Sequence, residues 1–112
     1  MNIKDLKEIL EKHKMWLNGV EGGRRANLIG ADLSMTDLSG INLQQANMSE
    51  ANLSMSDLSG TDMRWVNLSG ADMSGANLSM SDLSGTDMSG ANMNGVQHID
   101  SDLNLSEIIP CD

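Results

Sequence analysis

The chain has no phenylalanine and no tyrosine, and Trp16 and Trp65 are its only aromatic residues. A conventional layered core leans on large aromatics and branched aliphatics, so this chain must bury its surface another way. It holds a single cysteine, Cys111, which excludes an intramolecular disulfide and a cysteine-based metal site. No apolar run is long enough for a signal-peptide core or a membrane span, so the expected location is cytoplasmic and no membrane role is expected. Basic residues are scarce beyond the N-terminus: residues 26–105 carry ten carboxylates and one base, Arg64. The other six bases (Lys4, Lys7, Lys12, Lys14, Arg24 and Arg25) lie in the first 25 residues. Nucleic-acid binding depends on cations that displace counterions, so direct binding by the acidic body is not expected. The net charge of −9 favours solubility.

Ten methionines and eleven glycines sit among many Ser, Asn and Asp residues. Richness in Gly and Ser can signal disorder, but disorder does not space Leu and Met regularly. From residue 26 the chain divides without insertion into ANLIG ADLSM TDLSG INLQQ ANMSE ANLSM SDLSG TDMRW VNLSG ADMSG ANLSM SDLSG TDMSG ANMNG VQHID SDLNL. The third residue is Leu or Met in fifteen of the sixteen blocks, with His98 the exception. The first residue is small or β-branched, the second Asn or Asp except for Gln97, the fourth usually Ser and the fifth often Gly.

A period of five fits neither the helix repeat near 3.6 nor the strand repeat of 2. It fits a short extended piece followed by a turn. Residues two apart in the extended piece share a face, so the first and third positions point inward and the second outward. Glycine in fifth place suits a turn whose second central residue needs positive φ. Four such corners close a square of twenty residues, and successive squares stack about 4.8 Å apart.

This A(D/N)LXX pattern resembles the pentapeptide-repeat proteins over residues 26–105, and the lead-in "EKHKMWLNGVEGGRRANLIGADL" looks like that of bacterial and phage members. The resemblance implies an all-β solenoid, a right-handed quadrilateral β-helix, here of about four coils. The expected organisation is an N-terminal capping helix (1–20), the β-helix (21–105) and a short tail (106–112). Positions twenty apart should form four interior columns: Leu28–Met48–Leu68–Met88, Leu33–Leu53–Met73–Met93, Leu38–Leu58–Leu78–His98 and Leu43–Met63–Leu83–Leu103. Each such buried side chain contributes about 1.5–3 kcal/mol. Methionine keeps an interior apolar and adaptable, so its abundance reads as core rather than as soft-metal ligands.

Solenoids need their apolar ends covered. Residues 2–18 read as an amphipathic helix capped by Asn2, with Ile3, Leu6, Ile9, Leu10, Trp16 and Leu17 on one stripe and Gly19 as its stop. His13 lies beside that stripe and is expected to be structural. At the other end "VQHID" breaks the pattern and "SEIIPCD" is too short for a substantial cap, which predicts an end-to-end homodimer through the C-terminal coil.

No nucleophile–base pair, phosphate loop or metal-ligand cluster stands out, so the chain is expected to be no enzyme and to need no cofactor or metal. A calcium-binding acidic solenoid would carry a glycine-rich nonapeptide pattern, which this sequence lacks. A protein partner is the leading expectation. The candidate interaction surface comprises the outward carboxylates Asp37, Asp57, Asp62, Asp82 and Asp102 and the fifth-position side chains Met35, Met55 and Trp65, with Met80 also outward. The family resemblance implies one alternative: some pentapeptide-repeat proteins mimic B-form DNA and bind DNA gyrase, conferring quinolone resistance. This chain shares the acidic rod but has no loop between its blocks and no long helix after residue 105. Finally, "ANLSMSDLSGTDM" occurs at both 51–63 and 76–88, an offset of twenty-five. A coil takes twenty, so the copies should sit a quarter-turn apart rather than stack.

Overall fold

The structure, a computed structural model, describes residues 1–97. One helix, α1 (Ile3–Leu17), precedes a solenoid built wholly from turns and single bridged residues. The Asn2 side chain accepts the Lys4 N–H at 2.7 Å, and Asp5 lies in the first turn, where the helix dipole favours a carboxylate. Asn18 closes the helix, and Gly19 follows at φ 68°.

Parallel bridges join each outward residue to the one twenty positions later, from Asn27↔Asn47 through Asn77↔Gln97. Residues 26–97 thus complete three turns of twenty and enter a fourth. The extended piece of each block is too short for a continuous strand, so each contributes one bridge and then bends. Three backbone bonds per block tie a coil to the next. In the second block, Leu33 N–H donates to Asn52 O at 2.7 Å, Asn52 N–H to Ala31 O at 2.9 Å, and Met35 N–H to Ser54 O at 2.9 Å. The corners also close on themselves, as in Ala31 N–H to Leu28 O at 3.1 Å, except at Leu33–Thr36. Its second central residue has positive φ whether it is glycine or one of Met35, Gln45, Glu50, Met55, Trp65 and Met80, at φ 53–65°. That is the requirement of a type II turn.

The bridges sort the outward residues onto four faces. The first carries Asn27, Asn47, Asn67 and Asp87, and the second Asp32, Asn52, Asp72 and Asn92. The third carries Asp37, Asp57, Asn77 and Gln97, and the fourth Asn42, Asp62 and Asp82. The third-position side chains Leu28, Leu33, Leu38, Leu43, Met48, Leu53, Leu58, Met63, Leu68, Met73, Leu78, Leu83 and Met88 are all buried. First-position Ala26, Ala46, Ala51, Ala71 and Ala76 fill the space beside them. Ser56, Thr61 and Ser81 are buried there too, and each hydroxyl donates to the carbonyl three residues back at 2.6 Å, so no buried hydroxyl goes unpaired at these sites.

Two expectations need correction. Met93 is only half-buried, because among the described residues its column covers it on one side alone, through Met73. Ile3 is exposed although it falls on the apolar stripe of α1, because the buried contacts begin one turn later, at Leu6. His98, Leu103, Asp102, Cys111 and the predicted C-terminal dimer contact lie outside the described residues.

α1 lies against the first coil. Leu6 belongs to the same apolar cluster as Leu28 and Leu43, with Ile9 and Leu10 packed beside it. His13 is completely buried; its Nδ1 accepts the Ala26 N–H at 2.9 Å, and its ring stacks on Trp16 with centroids 5.7 Å apart. The Met1 ammonium donates to Asp32 O at 3.0 Å. The connecting loop turns back under the helix through Arg24 N–H to Lys12 O at 3.0 Å. A Cβ on Gly23 would fall 2.7 Å from Trp16 Cα, so only glycine allows that approach.

Candidate interaction surface

The outward Asn and Asp side chains serve the fold first. Asp57 Oδ1 accepts Ser59 N–H at 3.0 Å and Ser59 Oγ–H at 2.6 Å. Asn52 Oδ1 accepts Ser54 N–H at 3.0 Å and Ser54 Oγ–H at 2.7 Å in the same way. The second position therefore needs a short side chain with one acceptor oxygen, and Asn or Asp serves equally. Where it is Asp, these donors stabilise the charge. The Ser hydroxyl and then the Ser N–H hold Asp32, Asp37 and Asp87 below the usual carboxylate range; at Asp72 the Ser74 N–H leads and the hydroxyl follows. Asp62 is lowered chiefly by the Arg64 side chain, which grips it through Nη2 at 2.8 Å and Nε at 3.0 Å. Gln44 Nε2 adds a bond at 2.9 Å, and Arg64 Nε also lies 3.9 Å from Asp82 Oδ2. The one base of the body is thus spent on its own face.

Of the predicted surface residues, Asp37 and Asp57 stack on the third face and Asp62 and Asp82 on the fourth. Met35 and Met55 share the corner between the second and third faces, Met80 stands between the third and fourth, and Trp65 between the fourth and first. They are exposed by 80% (Met35), 65% (Met55), 69% (Met80) and 65% (Trp65). Two of them lie over a glycine one coil on. The Met55 Sδ covers Gly75, and the Trp65 indole covers Gly85. Sequence reasoning missed these pairs, although the signal was present: a large fifth residue followed twenty positions later by glycine. It also missed the His13–Ala26 bond that ties helix to solenoid, for which the period of five holds no signal.

Two open clefts of about 390 Å³ and 370 Å³ flank α1, one beside Leu10, Lys14 and Ile41, the other beside Glu8, Lys12 and Arg25. No group of three His, Cys, Asp or Glu placed to hold a metal occurs among the described residues. No helix there is long and apolar enough to cross a membrane.

The parallel bridges at a spacing of twenty, with small and Leu/Met columns inside, define a repeat solenoid of the β-helix class. The family profile described as pentapeptide repeats (8 copies) matches residues 26–64 and 61–97, so this chain belongs to the pentapeptide repeat family, and its solenoid is a right-handed β-helix. No curated protein sequence matches it significantly. Among solved structures, two trypsin-treated variants of QnrB1, a plasmid-mediated fluoroquinolone resistance protein, are each 25% identical with a TM-score of 0.58. Each alignment covers 66% of this chain and 36% of the QnrB1 chain, so this chain spans about a third of their length. A pentapeptide repeat protein from the cyanobacterium Cyanothece 51142 is 28% identical, with a TM-score of 0.48 over 65% of this chain and 53% of its own. Proteins of this family are in general structural or interaction modules.

Proposed function

We propose that this chain is a non-enzymatic interaction module, a short rod whose outer surface docks on a protein partner. The observation that carries this reading is the set of four large apolar side chains, Met35, Met55, Trp65 and Met80, held out at corners that need positive φ. Left-handed backbone costs a non-glycine residue about 1–2 kcal/mol, and eight of the other corners in residues 26–97 have glycine instead. Strain and exposed apolar surface meeting at the same residues point to use rather than to folding. A photocrosslinking residue in place of Met55, compared with one in place of Asn67, tests it. Protein adducts specific to position 55 support the module; equal adducts from both positions remove its basis.

A second reading, a modulator of DNA gyrase or a related topoisomerase of the quinolone-resistance type, is favoured by the likeness to QnrB1 together with the acidic body. A gyrase supercoiling assay with added protein decides it: no effect at micromolar protein rejects this reading.

A further inference from the structure

The exposed apolar corners are not spread evenly round the rod, and their arrangement specifies the partner's chemistry. Met35 and Met55 border the third face on one side, Met80 borders it on the other, and Met80 and Trp65 border the fourth. All four therefore frame two adjacent faces. At the corner between the first and second faces the fifth residues are Gly30, Glu50, Gly70 and Gly90, and Ile29 is the one large apolar side chain exposed there. Between the framing side chains, carboxylates stack directly: Asp37 on Asp57 and Asp62 on Asp82. On the first two faces Asp32, Asp72 and Asp87 are bridged only to amides. Because Asn makes the same local bonds as Asp, the fold does not call for this difference.

Serine occupies Oδ1 of Asp37, Asp57 and Asp82 as it does on the other faces, and no hydrogen bond among the described residues reaches Oδ2 of Asp37 or Asp57, while Arg64 Nε lies 3.9 Å from Asp82 Oδ2. Methionine and tryptophan are the side chains that interfaces favour, the first for its adaptability and the second as an anchor. Building on the interaction-module reading, we infer that the third and fourth faces form one docking surface for a cationic amphipathic protein segment. Its apolar side chains would seat on Met35, Met55, Met80 and Trp65, and its Lys or Arg groups would pair with Asp37, Asp57 and Asp82. Charge complementarity selects this occupant over an acidic or uncharged one: Asp37 stacks on Asp57 with no base on their face, and Arg64, on the fourth, is held by Asp62 at 2.8 Å.

The test is fluorescence anisotropy of a labelled helical peptide with one Lys face and one Leu face, titrated with the full chain. Three variants are compared. Asp37→Asn, Asp57→Asn and Asp82→Asn together remove charge from the docking side. Asp32→Asn, Asp72→Asn and Asp87→Asn remove the same charge from the other side, and both sets keep the local turn bonds. Met35→Gly, Met55→Gly and Met80→Gly remove the apolar frame and relieve backbone strain, so folding is not at risk. The inference expects about tenfold weaker binding for the first and third sets and less than about twofold for the second. Equal weakening by the two Asn sets overturns the sided surface while leaving the module itself standing. Unchanged binding by the Gly set, or no binding by the wild-type chain, overturns the inference as well. The module stands or falls separately, by crosslinking at Met55.

Discussion

Replacing Gly85 by alanine separates two costs that the corner geometry combines. Gly85 sits at φ 69°, and a Cβ there would come within 2.6 Å of Trp65 Cζ3 and 2.8 Å of Cδ2. Gly60 sits at φ 67°, but a Cβ there would meet nothing nearer than the Gly40 backbone at 3.9 Å. Both substitutions force alanine into the left-handed region, at about 1–2 kcal/mol. Both recover about 0.4–1 kcal/mol because alanine has less freedom to lose from the unfolded chain. Gly60→Ala should therefore destabilise by about 1 kcal/mol net. Gly85→Ala must in addition push the indole aside. Trp65 is mostly exposed, so it can swing out, losing its contact with the next coil and its preferred rotamer for roughly another 1 kcal/mol. Urea unfolding followed by far-ultraviolet circular dichroism measures both, with an unchanged m-value as the check that midpoints are comparable. In a Trp65→Ala background the two glycine substitutions should cost the same. If Gly85→Ala already equals Gly60→Ala in the wild-type chain, or if their gap survives without the indole, the stacking of Trp65 on Gly85 is not what sets it.

Four further outcomes follow from the same geometry. Gly23→Ala should cost more than either corner substitution, above about 2 kcal/mol, since the obstruction is Trp16 and Met15 backbone that cannot rotate away; calorimetry showing a smaller loss would place the loop differently. Leu58→Ala should lose about 2–5 kcal/mol and Met93→Ala distinctly less, because the first is sealed in its column and the second half-buried; similar losses in urea unfolding would contradict the column account. Burial above all, with nearby Arg25 adding to it and the Gln44 carbonyl opposing, holds the His13 pKa below its ordinary 6.5. Its contribution to stability is thus complete above pH 6.5 and is lost as the pH falls through the lowered value, and His13→Gln should flatten that limb of a stability–pH curve. Asp37 and Asp72 are likewise lowered from 3.8, so their contribution is complete above that value and is lost as the pH falls further; Asp37→Asn should lower neutral-pH stability slightly and reduce the loss on acidification.

The period of five was enough to place the interior. Leu33, Leu53 and Met73 share a column because they recur every twenty residues, and the same count puts Asp57 under Asp37. The fifth position was legible too, since glycine there already demanded positive φ. Less legible was the meaning of the thirteen-residue duplication. An offset of twenty-five turns each copy by a quarter, which looks like indifference to face. In the folded rod that quarter-turn sets Met55 and Met80 on the two borders of one face, and Asp57 and Asp82 on adjacent faces.

By itself, then, the sequence determined the solenoid, its columns and the exchange of Asn for Asp at each outward position, because these depend on residues within one block and on counting. The tertiary structure decided where Met55 and Trp65 lie, since each rests on a glycine twenty residues away whose missing side chain leaves the space. It also decided the place of His13, whose imidazole is buried because a backbone N–H of the first coil, at Ala26, turns toward it. That helix–coil contact joins segments that share no repeat, and only the folded chain brings them together.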